Sequence, residues 1–304
     1  MTPQSGILPA ANGHALFVLL RRRLGRRADV RLKALLASFP ERITRLQEED
    51  RLAIGVIAFG PKVWPELYSK KPVELRQFPF ISGAIHPAPS SDADVLLHLR
   101  GERFDLLYEL ADLITADMAE WLESIETVHG FRYRDCRDLT GFVDGTENPQ
   151  DEERAEVALV DSADQDWAGG SYIHLQRYVH RMDQWQQLPV RQQETVIGRT
   201  KESNEELPDE DRPHTAHISR VIIEEDGEEL ALLRHSMPYG QPGGEKGLYF
   251  ISYCKTPEVF EKMLTRMIAP TSDGRVDHML NFTRAVTGGA FFAPSIEQLN
   301  QLRS

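Results

Sequence analysis

The chain has 304 residues, with 35 basic and 47 acidic side chains, a formal net charge of −12 and 41% hydrophobic residues. That length carries two ordinary domains and a core that needs no disulfide or metal staple. The negative balance argues against a nucleic-acid or anionic-membrane partner, because phosphates are repelled by such a surface. Cys136 and Cys254 make no disulfide framework, and no apolar run approaches the ~20 residues of a membrane span. Residues 1–10 lack the basic-then-apolar order of an export signal, so a cytoplasmic setting is expected.

Residues 14–20 read as an apolar strand, and residues 30–46 repeat apolar side chains at helical spacing with Pro40 as a break. Residues 52–59 form a buried strand closed by Gly60 and Pro61, followed by a short inserted helix before Tyr68. A strand over 94–99 leads to the clearest helix, 103–125, whose Leu106, Leu107, Leu110, Leu113, Ile114, Met118, Trp121 and Leu122 share one stripe. Residues 128–134 return as a strand. This is the split βαβ order of a ferredoxin-like domain.

The second half repeats that order. A strand over 171–178 and a helix over 184–197 are followed by strands over 218–223 and 229–233 across a hairpin at Asp226-Gly227. A strand over 247–253 precedes a helix opened by Pro257, with Val259, Phe260, Met263, Leu264, Met267 and Ile268 at its spacing, and a last strand over 290–293. The expected class is α+β: two ferredoxin-like domains, residues 1–139 and 140–304, with helices on one face of each antiparallel sheet. The free faces pack together, as in a dimeric α+β barrel. The acidic stretches 149–166 and 201–213 are expected as solvated loops.

No Walker A loop, GxSxG elbow, HExxH helix or CxxC pair is present, which weakens the motif-bearing hydrolases, nucleotide enzymes and zinc proteins. Cys136 and Cys254, as singletons, read as small hydrophobes. The unusual stretch is Gly141-Phe142-Val143-Asp144-Gly145-Thr146-Glu147-Asn148-Pro149. Its glycines permit tight backbone angles and close approach of a ligand. The same residues also suit an Asx turn between domains, with Asp144 bonding its own backbone.

This stretch resembles the GxxDG signature of the dye-decolourising peroxidases, and its surroundings resemble their bacterial B-type branch. Matching segments continue through Gln4-Ser5-Gly6-Ile7-Leu8-Pro9, Gly169-Gly170-Ser171-Tyr172, Ile197-Gly198-Arg199-Thr200-Lys201, Arg212-Pro213 through Thr215-Ala216-His217, Arg234 through Pro238-Tyr239-Gly240, and Val286-Thr287-Gly288-Gly289, nearly the whole chain. The resemblance implies one haem b in the C-terminal domain and reduction of hydrogen peroxide to water. It also implies one-electron oxidation of small organic reductants (dyes, phenols, porphyrinogens) through a ferryl intermediate, with an acidic optimum.

Residue by residue, His217 matches the proximal ligand and so the metal-binding position; one neutral ring nitrogen donates to iron while the other fixes the ring. Asp277 is expected to hold that ring, an exposed helix position being its other reading. His214, three residues before His217, is the rival, since a pair at that spacing also suits a divalent metal. Asp144 and Arg234 match the distal pair: a carboxylate relays a proton between the peroxide oxygens, and a guanidinium stabilises the developing charge. An Arg–Asp pair lowers the aspartate pKa and burial raises it, and the sequence leaves that balance open. Ser236 stands where some B-type members carry asparagine, and its shorter hydroxyl leaves more room for water over the iron.

Arg199 matches a residue facing a haem propionate, for which bidentate Arg–carboxylate pairing gives the reason. Gly145, Thr146, Glu147 and Asn148 are expected at the haem edge, with Asn148 as a donor. Leu248 and Phe250 are expected as an apolar ceiling, and Met263 and Met267 on the proximal side or as plain core. Trp64, Trp121, Trp167, Trp185, Tyr172, Tyr239 and Tyr249 are candidate relay points for large donors, with packing the other reading of each. Two other functions fit parts of this pattern. A haem-binding carrier or iron-releasing protein on the same scaffold needs His217 but neither Asp144 nor Arg234, and a cofactor-free interaction module needs none of them. A homo-oligomer is expected from free sheet edges. Residues 298–304 carry no tail typical of capsule cargo, so no encapsulating shell is expected.

Overall fold

Apolar residues occupy both faces of the strands over 14–20, 54–59 and 95–99, so each of these needs cover on two sides. The computed structural model describes residues 1–303. Its first half runs β1 (His14–Arg22), α1 (Val30–Ala37), α2 (Phe39–Leu46), β2 (Ile54–Phe59), α3 (Trp64–Leu67), β3 (Val95–Gly101), α4 (Phe104–Asp117) and β4 (Leu122–Phe131). Then come α5 (Glu153–Ala158), β5 (Ser171–His180), α6 (Met182–Gln187), α7 (Val190–Ile197), α8 (His217–Val221), β6 (Glu224–Glu225), β7 (Glu228–Glu229), β8 (Leu233–Arg234) and β9 (Met237–Gly240). β10 (Lys246–Cys254), α9 (Glu258–Ile268), β11 (Thr283–Ala285), β12 (Gly289–Ala293) and α10 (Ile296–Asn300) complete the chain.

The strand order is β2-β3-β1-β4 in the first half and β9-β10-β5-β12 in the second, the same ferredoxin-like arrangement twice. The two sheets join edge to edge, through Phe59 with Phe292 and Gly130 with Tyr239, and close a ring. Side-chain alternation then sorts the residues. On β1, Ala15, Phe17 and Leu19 fill the interior with Tyr249, Ile251 and Tyr253 of β10. Leu16, Val18 and Leu20 face outward in a second core with Leu32 and Leu36 of α1 and Leu107 and Ile114 of α4. On β10, Leu248 and Phe250 have the opposite parity to Tyr249 and Tyr253, so they lie on the outer face, where α9 packs.

The N-terminal segment stitches the β2–β12 seam. Gln4 Nε2 donates to the carbonyls of Ile57 and Pro294, each at 2.8 Å, and Gln4 Oε1 accepts from Ile57 N at 2.8 Å. Gly6 N donates to Gly55 O at 3.1 Å, and a Cβ on Gly6 would stand 2.8 Å from the Gly55 carbonyl carbon.

Several expected spans are corrected. Residues 218–223 are not a strand: residues 217–221 form α8, where a β-branched run is held helical by packing on α9. The hairpin at Asp226-Gly227 exists, but as the two-residue arms β6 and β7, and the paired strand of the ferredoxin unit is β9. The helix from 103 stops at Asp117; the chain reverses through Trp121 N to Met118 O, and Trp121 and Leu122 stay in the same core from a new direction. Pro189 splits the 184–197 helix into α6 and α7.

Phe17, fully buried, lies between the rings of His98 at 4.7 Å and Tyr249 at 4.1 Å. Phe17→Ala should cost about 3–5 kcal/mol, read as a lower urea midpoint at unchanged slope.

Candidate active site

His217 opens α8, reached through a turn in which Ala216 N donates to Pro213 O at 2.9 Å. Its Nδ1 meets Asp277 Oδ2 at 2.6 Å. Asp277 is fully buried; its Oδ1 accepts from Met279 N at 2.8 Å and its own N–H donates to Met267 O at 3.1 Å. Two bonds fix the carboxylate and a third fixes its backbone, and the carboxylate fixes the ring in turn. With Nδ1 committed, Nε2 is the ring nitrogen left to act in the cavity that His217 lines. Burial works against protonation of this imidazole, but the Asp277 carboxylate outweighs it and lifts the ring above its ordinary value. His214 does not share the cavity: it is exposed and its Nε2 pairs with Asp273 at 3.2 Å.

The Asp144 loop depends on two left-handed glycines, Gly141 at φ +91° and Gly145 at φ +83°. Asp138 N donates to Phe142 O and Asp144 N to Cys136 O, both at 2.9 Å, which turns the Asp144 carboxyl into the cavity. Asn148 clasps this loop to β8: its Nδ2 donates to Arg234 O and its Oδ1 accepts from Arg234 N, each at 2.8 Å. Arg234 pairs in register with Ser252 of β10, two residues from Phe250. Acid, guanidinium and imidazole from positions 144, 234 and 217 thus line one cavity, which offers about 220 Å³ to the centres of water molecules.

Asp144 touches the cavity yet sits deep in the protein. Burial raises its carboxyl above the ordinary value, Arg234 opposes the rise and Asp138 adds to it. Desolvation therefore prevails over the arginine. At the cavity edge Arg199 is held by Glu147 and Glu206, the latter at 2.8 Å, and donates to Asn204 O at 3.0 Å. Burial and these neighbouring carboxylates also raise Glu229, which lines the same edge.

Two family models match consecutive parts of the chain: Dyp-type peroxidase, N-terminal, over residues 4–132, and Dyp-type peroxidase, C-terminal, over residues 135–298. The chain belongs to the Dyp-type peroxidase family. It is 44% identical to a dye-decolorizing peroxidase of Mycolicibacterium paratuberculosis, over 84% of this chain and 73% of that protein. It superposes with a TM-score of 0.93 and 37% identity on a variant of DypB from Rhodococcus jostii RHA1 in complex with haem, covering 99% of each chain. Similarity to a deferrochelatase of Escherichia coli is narrower, 29% identity over 47% of this chain and 36% of that one.

In this Dyp-type chain, Asp144, Gly145, Thr146, Glu147, Arg199, His217, Arg234, Leu248 and Phe250 all border the cavity, as do Met263 and Met267. Three expected residues stand outside it. Asp277 is behind His217 rather than exposed on a helix. Asn148 is absent from the lining and bonds Arg234 through both ends of its amide, with one N–H of Nδ2 and with Oδ1. Ser236 Oγ accepts from Ile251 N at 3.4 Å.

Sequence reasoning missed a polar wall. His180 Nε2 meets Asp138 Oδ1 at 3.2 Å and His180 Nδ1 meets Thr283 Oγ1 at 2.8 Å, while Thr140 Oγ1 donates to Asp138 Oδ2 at 2.6 Å. All four line the cavity, with Gln176 and Tyr178. The available signal was the two-residue period of Gln176, Tyr178 and His180 on β5, which pairs Tyr178 with Leu248 and Gln176 with Phe250.

Burial pushes the Asp138 carboxyl up, but His180 and Thr140 outweigh it and hold it below its ordinary value. A carboxyl with a depressed folded pKa contributes stability above its unfolded pKa and loses it as pH falls through the folded value. Asp138→Asn should therefore cost about 1–3 kcal/mol near neutral pH. The gap from the parent should close as pH drops through the carboxylate range, in urea melts at stepped pH.

Proposed function

We propose that His217, Asp144 and Arg234 are the working residues of this enzyme, with Asp277 positioning His217 and Arg199 serving the cofactor edge. The protein is a haem peroxidase: it reduces hydrogen peroxide and oxidises organic donors. The cavity suits haem b. An imidazole nitrogen is uncommitted on one wall, the lining from Leu248, Phe250, Met263, Leu264 and Met267 is apolar, and a guanidinium stands at the edge where carboxylates already gather. Haem, when bound, supplies an iron that takes the peroxide and its oxidising equivalents.

The convergence of His217, Asp144 and Arg234 on one cavity carries the reading. His217 would hold the iron through Nε2, with Asp277 keeping the ring from rotating. The Asp144 carboxylate accepts the proton from one peroxide oxygen and returns it to the other, which becomes water. Its raised pKa makes it a stronger base than an exposed aspartate, and its contact with the cavity puts it in reach of the substrate. Arg234 stays cationic and stabilises negative charge as the O–O bond breaks, in a site where little water competes. Asn148 acts through Arg234 and the Asp144 loop, holding acid and guanidinium in fixed relation. Leu248 and Phe250 keep the space over this pair apolar.

A haem carrier or iron-releasing protein would have no use for an acid and an arginine clasped together beside the cavity, so the peroxidase reading is preferred over that alternative. The remaining parts of the reading are a division near residues 139 and 140, a cytoplasmic site and a homo-oligomeric state. The first has coarser support, since the family models change between residues 132 and 135, a few residues earlier, just after β4 ends at Phe131. The second is supported by two free cysteines, with no helix among the described residues long and apolar enough to cross a membrane. Support for the third comes from exposed Val73, Phe80 and Ile85 on the long connection to β3.

The ferric absorption spectrum after haem loading tests the ligand: His217→Ala should lose the parent spectrum and retain haem weakly. Arg234→Ala should keep the haem and slow peroxide turnover with a phenolic donor by about 10²–10³-fold. The peroxide rate of the parent should fall as pH drops below the raised Asp144 pKa, and in Asp144→Asn the rate should be low and that limb flat, checked by stopped-flow pH profiles.

A further inference from the structure

The ring interior is largely apolar, and one polar contact in it joins a phenol to an imidazole. Tyr253 Oη lies 2.7 Å from His98 Nδ1, and both residues are fully buried. The phenol has no other acceptor, so the His98 tautomer with a bare Nδ1 satisfies it. Tyr253 faces Leu233 across the β10–β8 pairing, one residue from cavity-lining Arg234, so a single layer of strands separates the pair from the cavity. Phe17 stacks on His98 at 4.7 Å and His235 stands 5.3 Å from Tyr253.

Other buried tyrosines differ in a chemically decisive way. Tyr68, Tyr178 and Tyr239 donate to carbonyl or amide oxygens, which take no proton. The Tyr249 hydroxyl has no partner within ordinary hydrogen-bond distance, although the Glu126 carboxylate acts on it. Among the described residues Tyr253 is the tyrosine whose hydroxyl meets an imidazole nitrogen. A phenol loses an electron readily only if its proton has a base to go to.

We propose that Tyr253 and His98 form a buried one-electron donor that holds an oxidising equivalent inside the ring when no organic donor is bound. The inference rests on the peroxidase reading, because peroxide is the oxidant. Two-electron reduction of peroxide to water leaves the enzyme short of two electrons. Tyr253 supplies one; its O–H bond breaks, the proton crosses to His98 Nδ1, and a neutral phenoxyl radical remains beside an imidazolium. An electron from a later organic donor reverses the step: the proton returns and the O–H bond reforms. Burial, and then the Arg100 charge, press His98 toward its neutral form, which favours that return.

The test is freeze-quench electron paramagnetic resonance of the haem-loaded protein after one equivalent of hydrogen peroxide, without donor, with the haem absorption band followed in parallel. The expected result is a tyrosyl signal that narrows with ring-deuterated tyrosine and is lost in Tyr253→Phe. In His98→Phe the g-anisotropy should move to that of a phenoxyl without a hydrogen bond, or the signal should vanish. If His98→Phe fails to fold, Tyr253→Phe and the deuterium narrowing decide the matter. A signal that survives in Tyr253→Phe, or no tyrosyl signal while the haem band responds to peroxide, overturns the proposal alone. A haem band indifferent to peroxide overturns the peroxidase reading and this inference with it.

Discussion

Two pairings of one residue each, Phe59 with Phe292 and Gly130 with Tyr239, close the sheets of the two halves into a ring and so assign a face to every strand residue. Because strand side chains alternate, a slip of one residue would exchange interior and exterior along the whole strand. On β10 this means Tyr249, Ile251 and Tyr253 are committed to the interior, and Leu248 and Phe250 must meet the cavity. The same rule on β5 sends Gln176, Tyr178 and His180 to the cavity wall. Gln4, which bonds both seam strands, shows why a segment remote from the cavity belongs to its architecture.

Along the cavity wall, Asp144 and Asp138 are carboxyl groups of one chemical type driven apart by their surroundings. Asp144 is raised because burial costs its charge more than Arg234 returns. Asp138, equally removed from bulk water, is lowered because His180 and Thr140 bond its oxygens. Asp277, outside the cavity, is bonded to the His217 ring and the Met279 N–H. Separation of this kind allows carboxyl groups that are close together to differ in protonation at one pH.

The positioning bonds have long reach in sequence. Asn148 ties residues 144–148 to residue 234, Asp277 ties residue 277 to residue 217, and His235 Nε2 bonds Ile7 O at 2.6 Å. Each joins elements that are remote along the chain, so the site exists only once both halves of the second domain and the N-terminal segment are in place. His98, Arg100 and His235 are costly in an apolar ring. Arg100 repays part of that cost by bonding the carbonyls of Gly6, Pro9 and Ala10, which hold the N-terminal segment over the ring.

The repeated strand–helix order, the α+β class and the special backbone of Gly141 and Gly145 were open to reading from residue types alone, because period, turn chemistry and glycine angles are local properties. His217, Asp144 and Arg234 could be named from the matched segments around them, and Leu248 and Phe250 were expected near the cavity from the same resemblance. The sequence could not reveal that residues 217–221 are helical, since packing on α9 overrides a β-branched pattern. Nor could it show that Asn148 clasps Arg234, or that His180 and Asp138 share the cavity. Whether burial or Arg234 governs Asp144 was likewise a tertiary matter. Desolvation and side-chain hydrogen bonds depend on atoms brought together from distant positions, and only the closed ring fixes which ones meet.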